Sequence, residues 1–306
     1  MRAKAMGIVV GVASTAFLFT ALVGSRILSV SPVFGWRVIF FIGAVIALAV
    51  LLVRKLVPES PRYYAQKGMK ELALKALESI EQRARKSYGR ELPPPSSVKI
   101  VISENTTSFR ELFKREYLSR TLHSSLAYVF DSMGFYGFVT FLPLILVSKG
   151  FTIVNSLFYI ALADIGAIIG GAGLYLIGER VERKDLMALS GLIIAGSTLA
   201  LAFSINPLFV VAFGFIASFF DQCSYAALSI YLAEIFPTRI RNTGVGFASS
   251  MARVVSIAGI FYLGVALSGK PVLQLSFIAT SWLVYSAILY LFGIRVNNRV
   301  LEDVSP

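Results

Sequence analysis

The sequence holds one histidine, His123, and one cysteine, Cys223, too few for a disulfide framework or a clustered Cys/His metal site. No H-E-x-x-H helix exists, and no Ser/His/Asp arrangement offers itself, so catalysis is not the expectation. Nor is there a glycine-rich nucleotide-binding loop, which leaves no cofactor to expect and no nucleotide-driven step. Acidic residues are scarce: 17 Asp and Glu stand against 29 Lys and Arg, for a formal net charge of +12. That excess does not describe a nucleic-acid face. The basic residues gather at the ends of apolar segments and are not interleaved with aromatics. The lone Cys223 sits inside an apolar run and reads as a small core residue.

Apolar length is what the chain has in quantity. Hydrophobic residues make up 56% of it and mean hydropathy is +0.74, beyond the roughly 45–50% apolar content of soluble domains. Crossing a hydrocarbon core takes about 20 apolar residues. Such windows recur eight times, near 5–30, 36–56, 121–147, 152–177, 186–204, 207–235, 242–268 and 272–293. The first follows Met1-Arg2-Ala3-Lys4 and runs to Val30, too long for the apolar region of a signal peptide. Ser31-Pro32, Lys149-Gly150, Asn206-Pro207 and Gly269-Lys270-Pro271 mark short joints, so neighbouring spans run antiparallel.

Eight spans put both termini on one side, and charge selects the side. On the loops that share the termini's side lie 24 of the 29 basic residues, 15 of them between Arg54 and Arg120. The opposite side holds Arg26, Arg37, Lys149 and Lys270, and Arg253 lies within a span. The positive-inside rule then places both termini in the cytoplasm of a multi-pass cell-membrane protein.

Residues 57–120 form the one large hydrophilic insert. Ser60-Pro61 reads as the start of a short helix that Gly68 stops. A second, amphipathic helix runs from Met69 to about Arg90, with Leu72, Ala76 and Ile80 on one stripe and Glu71/Lys75 and Glu81/Arg85 as i,i+4 pairs. Pro93-Pro94-Pro95 is a stiff break. Ser108-Phe109-Arg110-Glu111 matches a capping box that would open a basic helix leading into the third span. The Asn105-Thr106-Thr107 sequon falls on the expected cytoplasmic side and is discounted.

Three loop motifs carry a resemblance. Val57-Pro58-Glu59-Ser60-Pro61-Arg62, followed by Lys67-Gly68, resembles the PESPR signature after the sixth helix of sugar porters and related metabolite symporters of the major facilitator superfamily. Glu179-Arg180-Val181-Glu182-Arg183-Lys184 resembles that family's acidic-Arg-x-Gly-Arg-basic loop between helices eight and nine, with Glu182 in place of the glycine. Glu234-Ile235-Phe236-Pro237-Thr238-Arg239-Ile240-Arg241, then Asn242-Thr243-Gly244, resembles its turn between helices ten and eleven.

The resemblance implies an all-α polytopic transmembrane bundle, a major-facilitator fold lacking its first four helices, with Arg2-Ala3 where the family closes its helix four–five loop. Residues 1–56 would then be the last two helices of the N-terminal half and 57–120 a cytoplasmic linker. Residues 121–293 would be a complete six-helix C-terminal half, and 294–306 a cytoplasmic tail. It further implies a cytoplasmic gate of charged residues: Glu59, Arg62, Glu179, Arg180, Arg183, Glu234 and Arg241. The implied partners are the lipid bilayer, a small-molecule substrate, protons and a separate N-terminal half.

Charges at the bilayer centre are costly and mark pathways. Asp131, Asp164, Asp221 and Arg253 each fall near the middle of a span. They lie on family helices seven, eight, ten and eleven, which line the central cavity of that fold. Helical spacing adds Tyr128, Phe135 and Phe138 to Asp131, Ser218 and Tyr225 to Asp221, and Ser249, Ser250 and Ser256 to Arg253. Arg253 has two readings: a counter-ion for a substrate carboxylate, or a lock paired with Asp221 or Asp131. Gly7/Gly11 and Gly166/Gly170 are small-xxx-small pairs suited to packing family helices five and eight, and His123 reads as structural.

The Gly134-Phe135-Tyr136-Gly137 stretch, with Leu142-Pro143, resembles organic-acid and metabolite:proton symporters, and the Gln-Gln-x-Ser-Gly element of classical sugar porters is missing there. The expected function is secondary active transport of a small organic solute by alternating access, an organic acid or metabolite moved with protons. The alternatives are sugar facilitation, or a truncated product that moves nothing alone.

Overall fold

The computed structural model describes residues 2–31, 34–54, 59, 61–66, 68–89, 109–177, 180–237 and 240–296. Among them are ten α-helices and one 3-10 turn, with no strand. Eight helices are long and apolar enough to cross a membrane. They are α1 (Arg2–Val30), α2 (Gly35–Arg54), α5 (Arg115–Ser148), α6 (Ile153–Ile177), α7 (Arg183–Phe203), α8 (Pro207–Ile235), α9 (Arg241–Val265) and α10 (Pro271–Phe292). Helices suit an apolar solvent because every backbone N–H finds its acceptor within the segment. Seven of the eight match the sequence windows to within about a turn.

The exception is the third. The capping-box reading places a basic helix from Ser108 onward, but residues Phe109–Phe113 form a 3-10 turn and α5 starts only at Arg115. Side-chain anchoring explains the break. Leu112 is fully buried, its carbonyl accepts from Thr121 Oγ1 at 2.9 Å, and Phe109 and Phe113 both pack edge-on against Phe247. Ser108 itself lies outside the described residues, as do the triple proline, the sequon and residues 297–306.

The chain divides into two compact units, Arg37–Glu104 and the remainder (Met1–Trp36 with Asn105–Pro306). In the smaller unit α3 (Pro61–Gln66) packs on α4 (Lys70–Tyr88) across Gly68, whose φ of 75° is the left-handed conformation that ends a helix. Gly89 caps α4 the same way, its N–H donating to Arg85 O. In the larger unit α1 packs on α6 and α8, α5 on α9 and α10, and α7 on α8 and α10.

Small residues set these distances, since lipid offers no hydrophobic drive for helices to associate. Gly11 of α1 and Gly171 of α6 meet backbone to backbone; a Cβ on Gly171 would stand 2.6 Å from Gly11 N. Gly166 and Gly170 serve the other side of α6, where any Cβ would run into the backbone carbonyls of Phe215 and Phe219 on α8. At the opposite end of the unit, Lys149 Nζ donates to the carbonyls of Leu201, Ala202 and Ser204, at 2.8, 2.8 and 2.9 Å. It thereby satisfies the bare C-terminus of α7. Burial lowers the pKa of this ammonium, a cost that the three carbonyl contacts offset.

This packing gives a first prediction. Gly170→Ala should lower the melting temperature of the purified protein, at an overpacking cost of about 1–3 kcal/mol. Gly196→Ala on α7, where nothing lies within 4 Å of the new methyl, should leave it unchanged or raise it by helix propensity. Differential scanning fluorimetry of the two variants checks the pair, and equal melting temperatures would remove the close-approach argument.

Candidate functional site

Periodicity brings the polar side chains of three helices to one place. Tyr128, Asp131, Ser132, Phe135 and Tyr136 of α5 face Asp221, Gln222 and Tyr225 of α8, and Ser249 and Arg253 of α9. Val10, Ala13, Ser14 and Phe17 of α1 complete the wall around a cavity of about 260 Å³. Six of the seven expected pathway residues, Tyr128, Asp131, Asp221, Tyr225, Ser249 and Arg253, line it together.

The acids and the base are treated differently there. Asp131 is 3% exposed and its Oδ1 has no hydrogen-bond partner among the described residues. Asp221 is 8% exposed and its Oδ2 accepts from the Gln222 amide at 3.2 Å. Arg253, by contrast, is exposed to the cavity and donates from Nη1 to Tyr136 Oη at 2.9 Å. Among the described residues it makes neither of the ion pairs that the locking reading requires. Tyr128 of α5 and Ser249 of α9 stand on the same wall.

Asp164 belongs to an adjoining space. It lines a smaller chamber of about 60 Å³ with Phe138, Leu142, Ser218 and Trp282. Phe17, Phe135, Asp221 and Gln222 border both spaces, and the Phe17 and Phe135 rings meet edge-on at 6.1 Å. Ser250 and Ser256 line neither; the Ser256 hydroxyl donates to Ala252 O within its own helix.

Ser132, Tyr136, Gln222 and the α1 residues are the contributors that sequence reasoning does not single out. Gln222 carries a signal, being a polar amide beside Asp221 in an apolar helix. Tyr136 sits five residues after Asp131, well round the helix from it, and so falls outside a same-face search.

The expected gate residues fall into three groups. Arg183 and Glu234 form a buried ion pair, Nη1 to Oε2 at 2.7 Å, with side chains 8% and 11% exposed. It joins the N-terminus of α7 to the C-terminus of α8. Arg180 is exposed before α7, Arg241 opens α9 and Glu59 is exposed ahead of α3. Glu179 and the Arg62 side chain lie outside the described residues.

Around the Arg183–Glu234 pair the end of the bundle is tied by further polar contacts. Arg120 donates to Ile235 O at 3.1 Å, and Lys184 Nζ to Tyr290 O and Gly293 O at 3.1 and 3.2 Å. Glu182 Oε1 accepts from Val296 N, and Tyr231 Oη from Ile294 N, both at 2.9 Å. His123 fits its structural reading. Its Nδ1 faces Ser119 O at 2.7 Å, an acceptor, so in the neutral ring Nε2 accepts from the Tyr231 hydroxyl at 3.0 Å.

Comparison with known proteins bears on what such a bundle is. YyaJ of Bacillus subtilis, a protein provisionally named for metabolite transport, is 31% identical over 268 residues, covering 87% of this chain and 59% of its own. The niacin transporter NiaP of Acinetobacter baylyi is 29% identical over 280 residues, covering 90% and 62%. The chain thus spans about three fifths of the length of these curated relatives. The solved structure of XylE, a proton:xylose symporter, superposes with a TM-score of 0.68 at 16% identity, over 97% of this chain and 66% of that one, a likeness of fold. The family and these relatives are transporters, not enzymes. Since the family model for the Major Facilitator Superfamily also matches residues 1–259, this multi-pass membrane chain belongs to that superfamily.

Proposed function

We propose that the chain is the portion of a secondary active transporter that holds the substrate and proton site, moving a small organic acid with protons by alternating access. The observation that carries this reading is the cavity that Asp131 and Asp221 line together with Arg253, which makes no ion pair among the described residues, with aromatic walls suited to a flat solute. A substrate carboxylate would pair with Arg253, and a proton would travel on one of the acids. The name of the niacin transporter among the relatives supports an organic acid over a sugar.

On this reading the eight spans correspond to family helices five to twelve, with residues 57–120 as the cytoplasmic linker between halves. The first four helices of the family fold would complete the transport path. Proteoliposomes with an inward proton gradient test it. Labelled niacin should accumulate when the chain is co-expressed with the first four helices of a relative such as NiaP, and a protonophore should abolish the accumulation. Xylose uptake indifferent to the gradient would instead favour sugar facilitation. Niacin accumulation by this chain alone would remove the need for a second chain.

The proposed orientation has its own test. Ser87 is exposed on α4, so a cysteine there should react with an impermeant maleimide only after cells are broken. Labelling from outside intact cells would reverse the assignment of both termini and of 57–120 to the cytoplasm.

A further inference from the structure

An arginine that shares a cavity with two nearly dry carboxyl side chains would ordinarily be drawn onto one of them, because charges attract strongly where water is scarce. In this cavity the guanidinium of Arg253 is bound instead to a neutral phenol, 2.9 Å away on α5. Among the described residues Asp131 keeps an oxygen without a partner, and Asp221 takes its hydrogen bond from the amide of Gln222. The phenol is itself braced. The Tyr136 ring meets Phe135 edge-on at 5.3 Å, and Phe135 meets Phe17 of α1 at 6.1 Å.

We propose that Tyr136 is a positioning residue for Arg253, holding the guanidinium out in the cavity and off Asp131 and Asp221. Its functional meaning rests on the reading of Arg253 as the counter-ion for a substrate carboxylate. An ion pair with either acid would spend both partners at once. The cation would be neutralised before an anion arrived, and the acid would be fixed as a carboxylate and lost to proton exchange. A phenol avoids both, since it accepts one guanidinium N–H, carries no charge, and gives way to a carboxylate that offers two oxygens in the matching fork. The rival physical account is that hydration alone keeps Arg253 away, because the side chain is exposed to the cavity.

Arginine-selective labelling separates the two accounts without needing a substrate. The chain in lipid nanodiscs is treated with phenylglyoxal, and modification of Arg253 is followed by mass spectrometry, with the exposed Arg180 as internal reference. Tyr136→Phe keeps the ring volume and removes the acceptor. It should slow labelling of Arg253 by about fivefold relative to Arg180, the protection expected of one partly solvated ion pair. Adding Asp131→Asn and Asp221→Asn to Tyr136→Phe should restore the wild-type rate, which a merely structural role for the tyrosine would not produce. An unchanged rate in Tyr136→Phe, or a slowed rate that the asparagines fail to restore, overturns the proposal. Protection of wild-type Arg253 by niacin examines the counter-ion reading apart from this. Its absence would overturn that reading and the functional meaning of the contact, while the variant rates alone decide the positioning.

Discussion

Replacing Arg253 by alanine should weaken binding of a small carboxylate by roughly thirty-fold or more, whereas Asp221→Asn should leave binding intact and remove its pH dependence. The two outcomes follow from the different jobs the cavity gives to its charges. Arg253 is exposed to the cavity and pairs with no carboxylate among the described residues. A bound anion would supply the missing partner, and losing one side of such a charged pair costs about 2–5 kcal/mol. Partial hydration of the guanidinium argues for the lower end, which is still roughly thirty-fold in affinity. Arg253→Lys, which keeps the charge and loses the fork, should fall between.

In the proposed mechanism Asp221 acts through its proton occupancy. The titratable groups that share its surroundings are Asp131, Tyr128 and Tyr136 of α5, Asp164 of α6, Tyr225 of α8, Arg253 of α9 and Tyr285 of α10; α1 contributes no charge to the lining. An anion seated on Arg253 beside an ionised Asp221 is repelled, and beside a neutral one it is not. Wild-type affinity should therefore rise as pH falls, and the asparagine variant should hold the high-affinity value at every pH. Isothermal titration with niacin between pH 5 and 8 distinguishes the cases. Normal binding by Arg253→Ala would make the guanidinium a structural partner and remove the anion-site reading. A surviving pH dependence in Asp221→Asn would transfer the proton to Asp131.

The spans are legible in the sequence because the solvent imposes their length: a helix that crosses hydrocarbon has to be apolar for about 20 residues and end in something polar. Where the boundary depends on tertiary anchoring, that logic gives out, as at the 3-10 turn held by Leu112 and the Phe109/Phe113/Phe247 cluster. The same limit governs the site. Spacing along one helix assembles Tyr128 with Asp131, and Asp221 with Tyr225, because those offsets belong to the helix itself. Which acid meets which base depends on how helices rotate against each other. The sequence therefore leaves Arg253 free to pair with either carboxylate, and only the packed bundle puts it on Tyr136. Depth along a span places Asp164 level with the other charges, but its chamber is set by side chains from α1, α5, α6, α7, α8 and α10. The glycine pairs divide in the same manner: their spacing marks them for close packing, and the neighbour each one meets is decided by the fold.

Glu234→Ala should be among the most damaging single substitutions in the chain. It would leave the Arg183 guanidinium, 7% exposed as a residue, without the carboxylate that faces it at 2.7 Å. Breaking a buried pair by removing one partner costs about 3–5 kcal/mol, because the charge left behind is neither hydrated nor neutralised. That is comparable to the whole stability of many domains. Arg183→Met with Glu234→Leu removes both charges and keeps apolar volume, so it should recover most of the melting temperature that either single truncation loses. Its expected defect is different. The pair joins the ends of α7 and α8 on the side proposed to be cytoplasmic, and a gate held by such a contact opens more readily without it. A cysteine placed on the cavity wall at Ser249 should accordingly react faster with a cytoplasmic-side reagent in the double variant than in the wild type. If the double variant is as unstable as Glu234→Ala, the pair is not separable from the packing around it. If it is stable and Ser249→Cys reacts no faster, the contact fastens α7 to α8 without gating the cavity.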